Sequence, residues 1–265
     1  MAQSLQDAGW TALASYRVVL IGYACIGAVL VILFLCLSSS IEATTGDSSP
    51  RPLSVKRMFG LHQSRRVVVK LSALFALDAF AGGFVVQSII AYWFSIKFGM
   101  DVGQLGKIFF AANILAGLSA LFAARIAARI GLINTMVVTH LPSNVLLCLV
   151  PFMPTLPLAV GVLLLRFSIS QMDVPTRQSY TVAVVAPDER SAASGVTTIA
   201  RSVGASLSPA ISGIFLASPL LFGALFLVAG SLRIVYDLLP YHRFRTLKPP
   251  EEKTGVREAN ASLSK

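Results

Sequence analysis

The chain has 265 residues, of which 55% are hydrophobic and only 13% charged, and its mean hydropathy is +0.74. Soluble domains carry about 25% charged residues, so this composition excludes an ordinary soluble protein and predicts an integral membrane protein. The net charge of +10 is explained by membrane topology and contact with anionic lipid, so no nucleic-acid partner is needed to account for it.

Seven apolar runs are long enough for a helix to cross the bilayer, which takes about 20 residues. They predict spans at 13–37, 67–96, 104–124, 132–152, 156–182, 192–217 and 219–240. The predicted fold class is therefore an all-α integral membrane protein with seven transmembrane helices. Cys25, Cys36 and Cys148 all fall within these helices, so no disulfide framework, metal site or cofactor is expected.

A polar segment separates the first span from the other six. The predicted organisation is an N-terminal segment with an isolated first helix (1–37), a cytosolic linker rich in Ser, Thr, Gly and Pro (38–66), a six-helix membrane bundle (67–241) and a cytosolic tail (242–265). The linker and the tail are the most polar parts of the chain.

The distribution of Lys and Arg predicts the orientation, because loops that stay in the cytosol carry the excess of positive charge. The linker, the turns with Arg125, Arg129 and Arg190, and the tail lie on one side, whereas the opposite side carries only Lys97 and Lys107. This pattern predicts a multi-pass protein of the cell membrane, inner or plasma, with the N-terminus outside and the C-terminus in the cytosol.

Charged residues inside the spans are the main functional signal, because each costs roughly 2.5–3.5 kcal/mol to insert at the bilayer centre. Asp78, Arg166 and Arg201 lie near mid-depth, and Asp173 follows Arg166 by seven residues on the same predicted helix face. One interpretation is a polar cavity with Asp78 as a proton or cation site and Arg166 or Arg201 as its charge partner or an anion-binding group. The alternative is that these charges only hold helices in register.

Other polar residues in the spans are predicted to have structural roles. Arg233 and Asp237 are interpreted as snorkelling or paired residues at the inner edge of the last span. Arg177, four residues after Asp173, is predicted to form a local ion pair with it. His140 and Asn144 could line a polar path, but packing is the favoured interpretation.

Small residues predict a close helix contact in the sixth span, because membrane helices approach where side chains are small. Gly204, Ser208 and Gly213 surround Pro209, so this stripe is a candidate for both tight packing and a gating bend. Gly82 and Gly83, just after Asp78, have the same two interpretations.

Two motifs carry a family resemblance. The turn Pro187-Asp188-Glu189-Arg190, followed by small residues, and the pattern Gly204-xxx-Ser208-Pro209-xx-Ser212-Gly213 are similar to segments of the major facilitator superfamily of secondary transporters. The chain resembles the C-terminal half of that family together with the preceding helix. The segment 124–133 keeps Arg129 and Gly131 of the family's loop signature, with Ala128 at the position of its Asp.

The resemblance implies that the first span corresponds to the sixth family helix and the others to the seventh through twelfth. Cavity-lining helices would then be the second, third, fifth and sixth spans, which carry Asp78, Arg166, Asp173 and Arg201. The implied activity is movement of a small molecule or ion by alternating access, with proton coupling through Asp78. Alternating access needs two bundles, so the chain is expected to be truncated or to require a second chain that supplies the missing N-terminal half.

Two other classes of function stay open. Seven spans with an external N-terminus also describe a heptahelical receptor, although the last span lacks a lysine for retinal and neither Asp-Arg-Tyr nor Asn-Pro-x-x-Tyr stands at the required place. A non-transporting membrane fragment or scaffold is the second alternative. Enzymatic activity is not expected, since no catalytic or phosphate-binding motif is apparent.

Overall fold

The computed structural model describes residues 2–36 and 61–244, which form α-helices and two short 3-10 turns. The helices are α1 (Ala2–Asp7), α2 (Ala12–Leu35), α3 (Arg65–Gly83), α4 (Gln87–Phe98), α5 (Val102–Ile130), α6 (Leu132–Leu149), α7 (Leu156–Ser170), α8 (Asp173–Ala183), α9 (Arg190–Leu216) and α10 (Pro219–Phe244). In the described ranges, seven helical stretches are long and apolar enough to cross a membrane. The predicted all-α membrane fold is confirmed.

The described residues belong to two compact units. The first contains α1 and α2 with Asp101–Gln104, and the second contains the remaining helices, with α5 from Leu105 onward. In the first unit the Thr11 hydroxyl caps α2 by accepting the Ala14 N–H at 3.3 Å. Residues 37–60, which include most of the predicted linker (38–66), and the tail from residue 245 lie outside the described residues.

Two of the predicted continuous spans are each built from two helices. The stretch Arg65–Phe98 is interrupted between α3 and α4, directly after the helix-weakening pair Gly82-Gly83. The stretch Leu156–Ala183 is interrupted between α7 and α8. Pro175 explains the second interruption. Proline has no N–H to donate and its ring clashes with the preceding turn, so it disrupts a helix interior but is tolerated in the first turn, where it stands in α8.

An apolar core occupies one end of the second unit, around α4 and the first half of α10. Trp93 stacks edge-on against Phe94 with ring centroids 5.1 Å apart and contacts Phe226 at the same centroid distance. The ammonium of Lys97 closes this end by donating to the carbonyl oxygens of Pro151 and Met153 at 2.7 and 3.1 Å. The buried charged residues lie in other parts of the unit, between α3, α6, α7, α8, α9 and α10.

Candidate functional site

The contact between α3 and α9 positions the buried charges, and small residues make it close. A Cβ added to Gly204 would lie 2.9 Å from the carbonyl carbon of Ala76 and closer still to its oxygen. A Cβ added to Gly83 would overlap the Ser208 side chain, whose hydroxyl donates to the Phe80 carbonyl oxygen. The backbones of α3 and α9 can come this close only because side chains are absent or short at these positions.

Asp78 is the negative centre of the site. It is only 3% exposed, and its Oδ2 accepts hydrogen bonds from the Nη1 atoms of Arg177 at 3.0 Å and Arg201 at 3.2 Å. Arg233 Nε lies 3.5 Å from the other oxygen, Oδ1. Three guanidinium groups from α8, α9 and α10 therefore converge on one carboxylate of α3, and together they compensate the cost of burying it.

Asp173 extends this cluster at the start of α8. Its Oδ2 lies 3.1 Å from Arg177 Nη1, so one guanidinium serves two carboxylates. The first turn of a helix favours an acidic residue, because the N-terminal end of the macrodipole is positive. The Arg177 guanidinium also lies over the Phe75 ring, 5.4 Å from its centroid. The predicted Asp173–Arg177 pair forms, and Arg177 in addition binds Asp78.

A second polar group joins α6 to α10. His140 Nδ1 lies 2.6 Å from Asp237 Oδ1, and the Asn144 amide donates to Asp237 Oδ2 at 2.8 Å. His140 Nε2 lies 4.0 Å from Asp78 Oδ1 and so links this group to the Asp78 cluster. The sequence predicts snorkelling or paired residues at Arg233 and Asp237, and the structure pairs both of them: Asp237 is buried among these partners, and Arg233 contacts Asp78.

Arg166 lies apart from these pairs. It is buried, at 6% exposure, and in the part of the chain that the structure describes no carboxylate lies within ion-pair distance of it. Of the two predicted partners of Asp78, Arg201 pairs with it at 3.2 Å and Arg166 does not. Arg166 and Asp173 belong to different helices, α7 and α8.

An open cleft adjoins the cluster on the side of α8 and α9. Its volume is about 580 Å³. Its walls combine two cations with hydroxyl, amide and apolar groups: Phe75, Val174, Arg177, Gln178, Thr181, Val182, Ser194, Thr197, Thr198 and Arg201. The Arg201 side chain is 35% exposed, so a guanidinium that binds the buried Asp78 is also accessible from the cleft.

The remaining small-residue candidates differ in their surroundings. A Cβ on Gly82 would collide with the Arg233 guanidinium, so this glycine makes room for a cluster side chain. Pro209 is exposed within a continuous α9, and a Cβ on Gly213 would meet nothing within 4 Å among the described residues. Gly83, Gly204 and Ser208 thus lie in the helix contact, whereas Gly213 does not.

The acidic turn before α9 anchors the start of α3. Glu189 is fully buried, and its carboxylate accepts the backbone N–H groups of His62, Gln63 and Ser64, the last two at 2.8 Å. Ser64 Oγ accepts the Ala186 N–H at 3.0 Å in return. The carboxylate thus binds unpaired amides just ahead of the first turn of α3, which is the favoured place for an anion.

Glu189→Gln is expected to destabilise the protein by about 1–3 kcal/mol, because the amide nitrogen cannot accept and leaves buried N–H groups without a partner. Asp188→Asn is the matched control, since Asp188 is exposed and its carboxylate lies 2.9 Å from the His62 ring nitrogen, outside the buried group of amides. Thermal unfolding of both variants in lipid nanodiscs checks this. Equal melting temperatures for the two variants would contradict an anchoring role for Glu189.

Sequence reasoning missed part of the cluster, although a signal for it was present. His140 and Asn144 are four residues apart on α6, and Arg233 and Asp237 are four residues apart on α10. Such spacing places both members of each pair on one helix face. Polar faces on two apolar helices are expected to pack against each other, because each then avoids contact with lipid. In the structure His140 and Asn144 contact Asp237.

Comparison with known proteins adds a family and two relatives. The model of the Major Facilitator Superfamily matches two overlapping segments, residues 8–209 and 98–265. The chain is 28% identical over 174 residues to the uncharacterized membrane protein YJR124C of Saccharomyces cerevisiae, which covers 65% of this chain and 39% of that protein. It is 24% identical over 232 residues to the uncharacterized MFS-type transporter YceJ of Bacillus subtilis, covering 87% and 57% respectively. The chain therefore spans about half the length of the curated relatives it matches.

Proposed function

Since the chain belongs to the Major Facilitator Superfamily, we propose that it moves a small solute across a membrane by alternating access. In such transporters the substrate and coupling ion bind near the bilayer midplane, between two bundles that rock about the site. The observation that carries the proposal is the position of Arg177 and Arg201, which bind the buried Asp78 and line the open cleft. A transport function agrees with this family better than the receptor function does, because the family is one of transporters.

The proposal assigns proton coupling to Asp78. A proton on its carboxylate would remove the charge that holds Arg177 and Arg201, whose Nη1 atoms donate to the same oxygen. Arg201 would then be released toward the cleft, where it could bind a solute, whereas Arg177 would keep its ion pair with Asp173. The protonation state of Asp78 would thus set the position of Arg201, because Asp78 and a solute in the cleft compete for the same guanidinium group.

The transport cycle also requires helices that move and a second bundle. Gly82 and Gly83 beside Asp78, and Pro209 and Gly213 on α9, are the proposed positions where helices bend or slide during the cycle. The N-terminus lies outside a cell membrane and the C-terminus in the cytosol, as the Lys and Arg distribution favours. A second bundle, on the same polypeptide or on another chain, provides the opposite wall of the site.

Uptake into proteoliposomes tests the function. Vesicles that contain the full chain and an internal pH dye are exposed to a panel of acidic, basic and neutral solutes under an imposed proton gradient. We expect at least one solute to accumulate above protein-free vesicles and to change the internal pH as it enters. A folded chain that moves no solute in this assay would favour the non-transporting scaffold instead.

A further inference from the structure

Arg166 on α7 is a buried cation without a counterion. In the described residues its guanidinium makes no hydrogen bond and no ion pair, and its Nε is enclosed without an acceptor. Its charged neighbour Arg233 has the same sign and acts on it unfavourably. The face of Phe167, 5.3 Å from the guanidinium carbon, attracts a cation but accepts no conventional hydrogen bond from its N–H groups. A buried charge in this state is costly unless something else binds it.

Arg233 shares part of this deficit. Its Nε lies 3.5 Å from Asp78 Oδ1, within ion-pair distance, yet this nitrogen too is buried and donates no hydrogen bond among the described residues. Arg166 thus has an enclosed Nε–H without an acceptor, and Arg233 has one whose ion-pair partner, Asp78 Oδ1, lies too far away for a hydrogen bond and accepts none itself among the described residues. An anion placed between the two guanidinium groups would accept from both and would reverse their mutual repulsion.

The charge balance of the site indicates how much negative charge is missing. Four guanidinium groups, those of Arg166, Arg177, Arg201 and Arg233, face three carboxylates, those of Asp78, Asp173 and Asp237. Each of the three carboxylates already has a partner within 3.1 Å. His140, the further titratable group in contact with them, adds either no charge or a positive one. The described site therefore lacks at least one negative charge, and the unpaired cation is Arg166.

The local backbone also suits a ligand. Arg166 lies one turn before the end of α7 at Ser170, and α8 begins only at Asp173. Interrupted helices inside a membrane are tolerated where their main chain is buried in protein or lines a water-filled cavity. Ligands of secondary transporters bind at such interruptions. Arg166 is thus placed beside the kind of backbone that lines a binding site.

We propose that Arg166, assisted by Arg233, binds the carboxylate of a small monoanionic solute. The planar fork of a guanidinium matches a carboxylate and can donate two parallel hydrogen bonds to it. One negative charge restores the balance of the cluster without adding a second unpaired group. The proposal rests on the transport function above and names the class of its substrate.

Thermal unfolding of the full chain in nanodiscs of neutral lipid tests the proposal. Sodium formate, acetate and benzoate are compared with sodium chloride at constant ionic strength, for wild type, Arg166→Gln, Arg166→Lys and the exposed control Arg129→Gln. We expect a carboxylate to raise the melting temperature of wild type and of the control but not of Arg166→Gln. In chloride alone Arg166→Gln should melt roughly 2–4 °C above wild type, because it removes an uncompensated charge. Arg166→Lys should keep the charge cost and lose most of the carboxylate effect.

Three results would overturn the proposal. The first is that no carboxylate raises the melting temperature of wild type, and the second is that a carboxylate raises that of Arg166→Gln by the same amount. The third is that Arg166→Gln melts below wild type or fails to fold, which would make Arg166 a structural residue. Uptake of labelled benzoate, acetate and formate separates this inference from the transport function. Carboxylate binding without uptake supports the site and contradicts transport, whereas uptake of another solute without a carboxylate response contradicts the site alone.

Discussion

Asp78→Asn is expected to lower the free energy of unfolding by about 3–5 kcal/mol, the typical cost of removing one partner from a buried ion pair. The change keeps the shape of the side chain and removes only its charge. Arg201 and Arg233 then lose the carboxylate with which they pair in the described part of the chain, whereas Arg177 keeps Asp173 at 3.1 Å. If Asp78 couples proton movement to transport, solute-driven pH change should also disappear. Unchanged proton-coupled uptake in Asp78→Asn would contradict the coupling role.

A second substitution that removes the stranded cation should repair much of this damage. Arg201→Gln is the choice, because among the described residues Arg201 forms an ion pair only with Asp78, while Arg177 also pairs with Asp173. We expect the double variant to be more stable than Asp78→Asn, with a coupling energy of about 0.5–3 kcal/mol in a double-mutant cycle. Trp93 fluorescence during thermal unfolding measures it, with the exposed Asp101→Asn as control. Strict additivity would mean that the two side chains do not interact.

Gly204→Ala is expected to lower stability by about 1–3 kcal/mol or more, the usual range for overpacking a tight core. The added methyl group would meet the carbonyl of Ala76, with its carbon at 2.9 Å. This neighbour is main chain and has no rotamer to change, so α3 and α9 must separate. Because Arg201 lies three residues before Gly204 and donates to Asp78 at 3.2 Å, separation should also lengthen that contact and reduce uptake.

Gly213→Ala on the same helix is the matched control for Gly204→Ala. Its added methyl group meets nothing within 4 Å in the described ranges, and alanine is the better helix former by about 1 kcal/mol. The two variants should therefore change the melting temperature in opposite directions. Thermal unfolding in nanodiscs measures both, and a loss of equal size in the two would mean that general glycine replacement, rather than the α3–α9 contact, sets the cost.

The cost of burying charge was enough to predict which residues of the spans belong to the buried charge cluster. Asp78, Asp173 and Arg201 were selected because each interrupts an apolar span, and the structure brings all three around Arg177. The pairing was less predictable, because it depends on how helices rotate against one another. Arg166 and Arg201 were both candidates for pairing with Asp78, and only the packing of α9 against α3 decides for Arg201.

Some contacts between residues far apart in the chain could not be predicted from local sequence patterns. The acidic turn at residues 187–190 was visible as a motif, but its partners are the backbone amides of residues 62–64 at the far end of the predicted linker. Backbone amides carry no side-chain identity, so no pattern in the sequence marks them as ligands of Glu189. The link between α6 and α10 also joins distant segments, since Asp237 follows His140 by 97 residues, but there the polar pairs on the two helices were a signal in the sequence.

The order of synthesis gives the Asp78 cluster a consequence for how the protein is made. Asp78 emerges from the ribosome 99 residues before Arg177 and 123 residues before Arg201. At about 5–20 residues per second, its first hydrogen-bonding partner is synthesised about 5–20 seconds later. For that time α3 carries a carboxylate into the membrane without its native partners. The helix that begins the bundle in sequence is thus among the last to reach its final environment, and slower translation of residues 79–201 would prolong its exposure.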